Sequence, residues 1–310
     1  MGLPVVGAHC PTAGGLATTA LSYVDRVGAG AVQVYVSNSR GWALPDGDPA
    51  QDRAFAEGVE RRETPAYIHA CLLVNLGSPT PATVERSVAT LRHALLRGRA
   101  IGARGVVFHA GSAVDPAHFD TALKQVREAL LPLLDETAAA GGPRLLVEPS
   151  AGGGRCLAAR IEDLGPYLDA VERHPGLGVC FDTCHALAAG HDLAAQGGMT
   201  STLDTLVAVA GPGRLALIHA NDSKDPCGSR RDRHENVGAG TLGRAAFAAL
   251  LAHPAARGLP VIVETPSEGN AGTGHARDIA TLRELTEAPG SPRPRRPRQP
   301  PRPPRRHKAR

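Results

Sequence analysis

Short apolar runs recur along the chain at 5–8, 31–36, 66–68, 105–108, 145–147, 178–181, 215–218 and 260–263. Each has the length of a strand and the apolar continuity of one buried on both faces. Segments with helical spacing lie between them. The clearest covers 83–101, where Val84, Val88, Leu91 and Leu95 fall at i, i+4, i+7 and i+11. Others occupy about 16–27, 51–62, 119–140, 161–172, 202–210, 243–252 and 276–286. Eight strand-like runs, each followed by a helix-like segment, predict parallel βαβ units. The count of eight favours a single (β/α)8 TIM barrel over a doubly wound open sheet. No internal repeat or linker divides 1–287, which reads as one α/β domain.

Composition changes this picture mainly at the C-terminus. The chain has 310 residues, 42% of them hydrophobic, enough for one large core, and with aromatics at only 3% that core is built from Ala, Val and Leu. The six cysteines have no CxxC spacing, which fits reduced thiols in a cytoplasmic protein. No apolar run approaches the roughly 18 residues a membrane span needs, and no secretory signal opens the chain. The net charge of +4 is uneven: residues 288–310 hold eight Arg, one Lys and eight Pro with no acid, so 1–287 carries −5. This 288–310 segment reads as a disordered Pro/Arg-rich tail, either a polyanion hook for nucleic acid or a solvated tail without a dedicated partner.

The residues that close the strand-like runs carry the chemistry. They are His9, Asn38 (two beyond Val36), His69, His109, Glu148, Asp182, His219 and Glu264, and seven of these eight are metal-ligand types. A barrel places all of them at its C-terminal mouth. A lone His there is ordinarily a core or rim residue, and Asp182 by itself reads as the N-cap of the next helix. Four imidazoles and three carboxylates on one rim are different, because such a set is costly without cations. His185 lies one turn past Asp182 in FDTCHALAAGHD, and Asp232 and His234 point the same way if GSRRDRHENVGAG is extended.

Nine ligands follow: His69, His109, Glu148, Asp182, His185, His219, Asp232, His234 and Glu264. They exceed one tetrahedral site and suit two or three ions. Mixed N and O donors suit Zn2+, with Mn2+ possible in one site. Paired divalent ions are the usual equipment of phosphoester hydrolysis. Lys224, Arg230, Arg231 and Arg233 lie beside the last ligands and read as contacts to flanking phosphates, or else as a solvated loop. Three divalent ions would turn a domain of −5 into about +1.

The segments GAHCPTAGGL, NSRGW, HACLLVNLGS, FHAGS, VEPSAG, FDTCHALAAGHD, IHANDSK, GSRRDRHENVGAGTLG and VETPSE, in this order across 5–286, resemble the endonuclease IV family. That family comprises zinc-dependent apurinic/apyrimidinic endonucleases on a xylose-isomerase-like barrel. The resemblance implies hydrolysis of the phosphodiester 5′ to an abasic site, leaving a 3′-hydroxyl and a 5′-deoxyribose phosphate, and removal of blocking groups from 3′ ends. It further implies a likeness to a monomeric enzyme acting on double-stranded DNA, cytoplasmic and nucleoid-associated when on DNA.

Carried over by position, the resemblance gives His69 and His109 to a first zinc and Glu148 as its bridge to a second. Asp182, His219 and Glu264 complete the second, and His185, Asp232 and His234 form a third. Glu148 is then the carboxylate that positions the nucleophilic hydroxide, and Arg40, Leu72 and Leu73 contact the DNA. Two positions depart from the family: Leu72 stands where a tyrosine is usual, and Pro149 where an asparagine follows the bridging glutamate. The alternatives are a metal-dependent sugar isomerase or epimerase on the same barrel, which needs fewer ligands, and a catalytically decayed DNA-binding paralogue, which needs none.

Overall fold

The computed structural model describes residues 3–268 and 271–287; the Pro/Arg-rich tail expected over 288–310 lies outside the described residues. Eight parallel strands close into a barrel in the order β1 (Val5–His9), β10 (Pro260–Val263), β7 (Leu215–His219), β6 (Leu177–Asp182), β5 (Arg144–Glu148), β4 (Gly105–His109), β3 (Ala66–His69) and β2 (Val32–Val34). The other two strands, β8 (Asp222–Ser223) and β9 (His234–Glu235), form a small antiparallel hairpin above β7. Helices α1 (Ser22–Val27), α2 (Pro49–Arg61), α3 (Pro81–Ala100), α4 (Phe119–Ala140), α5 (Leu164–Ala170), α6 (Thr183–Ala188), α7 (Gly198–Ala210), α8 (Gly243–Ala252) and α9 (Thr273–Glu287) connect the strands. The fold is the expected TIM barrel.

Two observations refine the expected elements. The helical segment expected from 16 begins as a π-helical turn, Leu16–Leu21, before becoming α1. Its backbone is held by Gln51, whose Oε1 accepts from the N–H groups of Ala17 and Thr18. The run expected over 31–36 pairs as a strand only over Val32–Val34, after which the chain turns out over the barrel mouth.

The barrel interior is a small apolar plug of Ala31, Tyr67, Val107, Leu146, Cys180, Leu217 and Ile262. The alternation of side chains along a strand explains what sits above it. Two residues beyond Tyr67, Val107, Leu146, Cys180, Leu217 and Ile262 come His69, His109, Glu148, Asp182, His219 and Glu264, so each points to the same inner side one layer higher. The apolar plug thus forms the floor of a polar layer. Gly7 allows β1 to close the ring: a Cβ there would lie 1.9 Å from the carbonyl oxygen of Ala31.

Register sets which polar residues become neighbours. His109 pairs with Glu148, and Asp182 pairs with His219. The second pairing depends on a bulge between Val179 and Cys180, where β6 shifts against β7. Such a shift re-aims the residues beyond it.

Candidate metal centre

Glu148 is the centre of the polar layer. It is fully buried, with His219 Nδ1 at 2.8 Å, His69 Nε2 at 3.3 Å, His185 Nδ1 at 3.5 Å and His109 Nε2 at 3.6 Å from its two oxygens. On the β6–β10 side, Glu264 Oε2 lies 3.3 Å and Asp182 Oδ2 3.9 Å from His219 Nδ1. Asp182 is both an N-cap and a member of the cluster. Its Oδ1 caps α6 by accepting from the N–H of His185 at 2.9 Å, while Oδ2 accepts from Asn221 at 2.7 Å and faces the cluster.

The third group is assembled by the hairpin. Asp232 and His234 return over the mouth on β9 and the loop before it, and Asp232 spans two imidazoles, 3.2 Å from His185 Nε2 and 3.0 Å from His234 Nε2. Arg233 points away from them and makes a two-pronged pair with Asp225, at 2.7 and 2.5 Å. Asp222 anchors the hairpin base by accepting from the backbone N–H groups of Gly238 and Leu242. The expected alternation of this loop is therefore present, and a salt bridge pins it.

Three ring orientations are set by backbone carbonyls. Nδ1 of His69 faces Ala70 O at 2.8 Å, that of His185 faces Pro149 O at 3.1 Å, and that of His234 faces Glu264 O at 3.2 Å. A carbonyl can only accept, so each Nδ1 carries a proton, which leaves Nε2 as the nitrogen that would meet a metal. Pro149 thus orients His185 through its carbonyl without needing a side-chain amide.

A further layer lies beyond the nine expected ligands. Gln33 donates to Glu264 Oε1 at 2.6 Å, and its own oxygen lies 2.9 Å from His219 Nε2. His9 Nδ1 stands 3.0 Å from Gln33 and 3.3 Å from Glu264. Tyr35 follows, with its ring 4.4 Å from His9 and 5.6 Å from His69. A signal for these exists in the run 31–36: Ala31, Gln33 and Tyr35 share one side of a strand whose first member joins the interior plug.

Electrostatics favour a cation at each group. Burial pushes His109 down to about 4, so it is a neutral imidazole. Burial works to lower His234 as well, but Asp232, Asp182 and Glu264 outweigh it and raise it to about 9. Burial would raise Glu148, yet His219 and His69 hold it well below the usual carboxylate range. Protons on imidazole thus stand where positive charge is needed.

Two buried atoms test the fit to metal: Glu148 Oε2 and His234 Nε2 make no hydrogen bond. Glu148 Oε2 faces the Nε2 atoms of His69 and His109, and His234 Nε2 faces Asp232, so oxygen and nitrogen donors of the kind a divalent ion takes up stand together. Ligand atoms lie within 4.8 Å of one another in several sets, including His69, His109 and Glu148, then Glu148, Asp182 and His185, and then His185, Asp232 and His234. Cys180 joins one such set with Glu148 and His219, but burial raises its thiol to about 12, which makes it a poor ligand.

The cavity over the cluster measures about 520 Å³, and Arg40 and Leu72 form part of its wall. Leu73 stands exposed beside Leu72. The two loops are joined: the N–H of Leu72 donates to Ser39 O at 2.8 Å, and Cys71 Sγ donates to the carbonyls of Ser39 and Gly41. Of the four cations near the hairpin, Arg233 is committed to Asp225 and Arg231 lies 3.7 Å from the same acid. Lys224 and Arg230 are exposed, and Arg230 lines a rim hollow with Arg155 and Arg160.

The chain is similar to known proteins over nearly its whole length. The Xylose isomerase-like TIM barrel family matches residues 21–285. The "Probable endonuclease 4" of Streptomyces coelicolor is 55% identical over 282 residues, covering 91% of this chain and 95% of that protein. The protein of the same name from Nitratidesulfovibrio vulgaris is 34% identical, covering 92% of this chain and 100% of its own. The crystal structure of endonuclease IV from Thermus thermophilus superposes with a TM-score of 0.77 at 33% identity, over 92% of this chain and 99% of that one. A D-tagatose 3-epimerase-like protein shares the fold at a TM-score of 0.67 and 18% identity, covering 91% and 98% of the two chains.

Proposed function

The chain belongs to the endonuclease IV family of xylose isomerase-like TIM barrels, and from that premise we propose a DNA-repair enzyme that hydrolyses the phosphodiester 5′ to an abasic site. The products are a 3′-hydroxyl and a 5′-deoxyribose phosphate, and the same chemistry cleans blocked 3′ ends. One observation carries this reading above all. Nine His, Asp and Glu side chains from β3, β4, β5, β6, α6, β7, the hairpin and the end of β10 converge on one polar layer; six of them line an open cavity, and Glu148, Asp182 and His219 lie buried against those six.

His69, His109 and Glu148 would hold one ion, Glu148, Asp182, His219 and Glu264 a second, and His185, Asp232 and His234 a third. Zn2+ suits these donors, and Mn2+ would be tolerated in one site. Ions held there place positive charge against the scissile phosphate and acidify water at the site. Glu148, central and fully buried, orients the attacking water between the groups. That water's oxygen bonds to phosphorus, the bond from phosphorus to the 3′-oxygen breaks, and a proton ends on the 3′-oxygen. Asp232, 47% exposed at its side chain, is the carboxylate at the open side of the site, and His185 and His234 hold it ionised.

Substrate choice rests on the rim. Arg40 and Leu72, with Leu73 beside them, meet the DNA where the base is missing, and a base-free nucleotide costs little to swing out of the stack. Leu72 supplies an apolar wedge without the ring of the family's tyrosine. Lys224, Arg230 and Arg231 bear on flanking phosphates, whereas Arg233 acts by fixing the loop. The enzyme works as a monomer in the cytoplasm, associated with the nucleoid. No helix among the described residues is long and apolar enough to cross a membrane.

Zinc-loaded protein should nick a duplex bearing one abasic analogue on its 5′ side, leave the undamaged duplex intact and carry about three metals per chain. Absence of nicking by metal-replete protein would refute the assignment. One metal per chain with activity on a ketose would instead favour the isomerase reading. Residues 1–287 are the proposed catalytic domain, and the nine cations of 288–310 the proposed hook. Truncation after Glu287 should preserve the turnover number but weaken duplex binding, with a shallower dependence on salt. Identical affinities and salt slopes with and without the tail would eliminate the hook.

A further inference from the structure

The cavity above the cluster is walled in part by His9, Tyr35, Arg40, Leu72, Thr265 and His275, beside the expected ligands. Most of its polar atoms already have work. His69, His185 and His234 give their Nδ1 protons to backbone carbonyls and turn Nε2 toward the acids. His275 bonds Tyr23 and the carbonyl of Thr265.

Two residues with neutral hydroxyls, Thr265 and Tyr35, line the cavity. Thr265 Oγ1 donates to Asp278 at 2.5 Å. The Tyr35 hydroxyl has no hydrogen-bond partner among the described residues and is not sealed from solvent. It is also fixed in place. The Tyr35 ring packs against His9 and His69, and its backbone lies one residue past the end of β2. A rigid ring thus holds a free neutral donor beside the ligands.

The chemistry of the substrate supplies an acceptor. An abasic deoxyribose differs from an intact nucleotide by a hydroxyl on C1′ where the base was. With the scissile phosphate at the ligand cluster, the extruded sugar lies against the part of the cavity wall that Tyr35 helps to form. A neutral phenol suits a neutral sugar hydroxyl, whereas a guanidinium suits the phosphate. We propose that the Tyr35 hydroxyl is a specificity-determining contact that hydrogen-bonds the C1′ hydroxyl of the extruded abasic sugar. This rests on the reading of the site as an abasic endonuclease, and it gives that site a direct means of sensing that the base is gone.

The test uses the full-length, zinc-replete protein and two duplexes, one with a natural abasic site and one with the tetrahydrofuran analogue, which lacks the C1′ hydroxyl. Tyr35→Phe keeps the ring and removes only the donor. It should raise KM for the natural site about fivefold, leave kcat unchanged, and leave both constants unchanged on tetrahydrofuran. Zinc content and the affinity of chelated protein for the tetrahydrofuran duplex should equal those of the wild type. Equal rises on both duplexes would mean the hydroxyl holds an atom common to them, and no rise on either would mean it holds nothing; each overturns the proposal. Wild-type protein that nicks neither duplex would remove the parent reading, and the contact with it, before the variant is made.

Discussion

Glu148→Gln should lower incision of an abasic duplex by at least about 10³-fold, about 4 kcal/mol of barrier, while leaving the fold intact. The change is isosteric and exchanges one carboxylate oxygen for an amide. It is severe because of where the charge sits. Four imidazoles, those of His69, His109, His185 and His219, come within 3.6 Å of this one buried carboxylate. An amide cannot balance a cation on each side, and its NH2 group would face Nε2 atoms prepared as acceptors. Metal content should fall by at least one ion per chain. Undiminished nicking by the Gln variant, at wild-type metal content, would remove Glu148 from the mechanism.

Metal removal should have the second largest effect, on stability as well as activity. Each ion present about 1,000-fold above its dissociation constant adds about 4 kcal/mol, which is roughly 10 °C in melting temperature for a domain of this size. The pH dependence of the metal-free protein gives a sharper check. His234 is raised from its ordinary 6.5 to about 9 by facing acids, and His185 and His219 are also raised. A group raised on folding stabilises fully below its unfolded value and loses that contribution as pH climbs through its folded value. The chelated protein should therefore lose stability between about pH 6.5 and 9. Zinc-loaded protein should not, because its ligands bind metal in their deprotonated form. Parallel melting curves for the two forms across this range would contradict the picture of protons standing in for cations.

The sugar-isomerase alternative shares the barrel but not the need for this ligand set. One or two ions would leave several of the nine groups as buried acids and imidazoles without a cation, at considerable cost. The distant epimerase-like structure therefore speaks to the fold alone.

Much of the site is legible in the sequence because its grammar is local. A strand alternates its faces, so a ligand closing a run stands directly above the apolar residue two positions earlier, as His109 stands above Val107 and Glu148 above Leu146. Gln33 and Tyr35 follow the same rule. Periodicity does not single them out, because the apolar run continues to Val36 and points to Asn38 as its closing residue, whereas pairing ends at Val34. The loop cations are legible only as charges. That Arg233 is spent on Asp225 while Arg230 joins Arg155 and Arg160 is not written in their spacing.

By itself the sequence determined the eight barrel strands, the helices between them and the nine candidate ligand types at the mouth, since the periodicity and termination of each run are properties of neighbouring residues. Tertiary structure alone decided how these side chains come together in space. Closure of β1 onto β10, the bulge that sets Asp182 opposite His219, and the return of the hairpin to bring Asp232 between His185 and His234 all join residues far apart in the chain. The same holds for the carbonyls that turn each imidazole. Such pairings are fixed by register and by the need to satisfy every buried polar group, and both exist only once the barrel has closed.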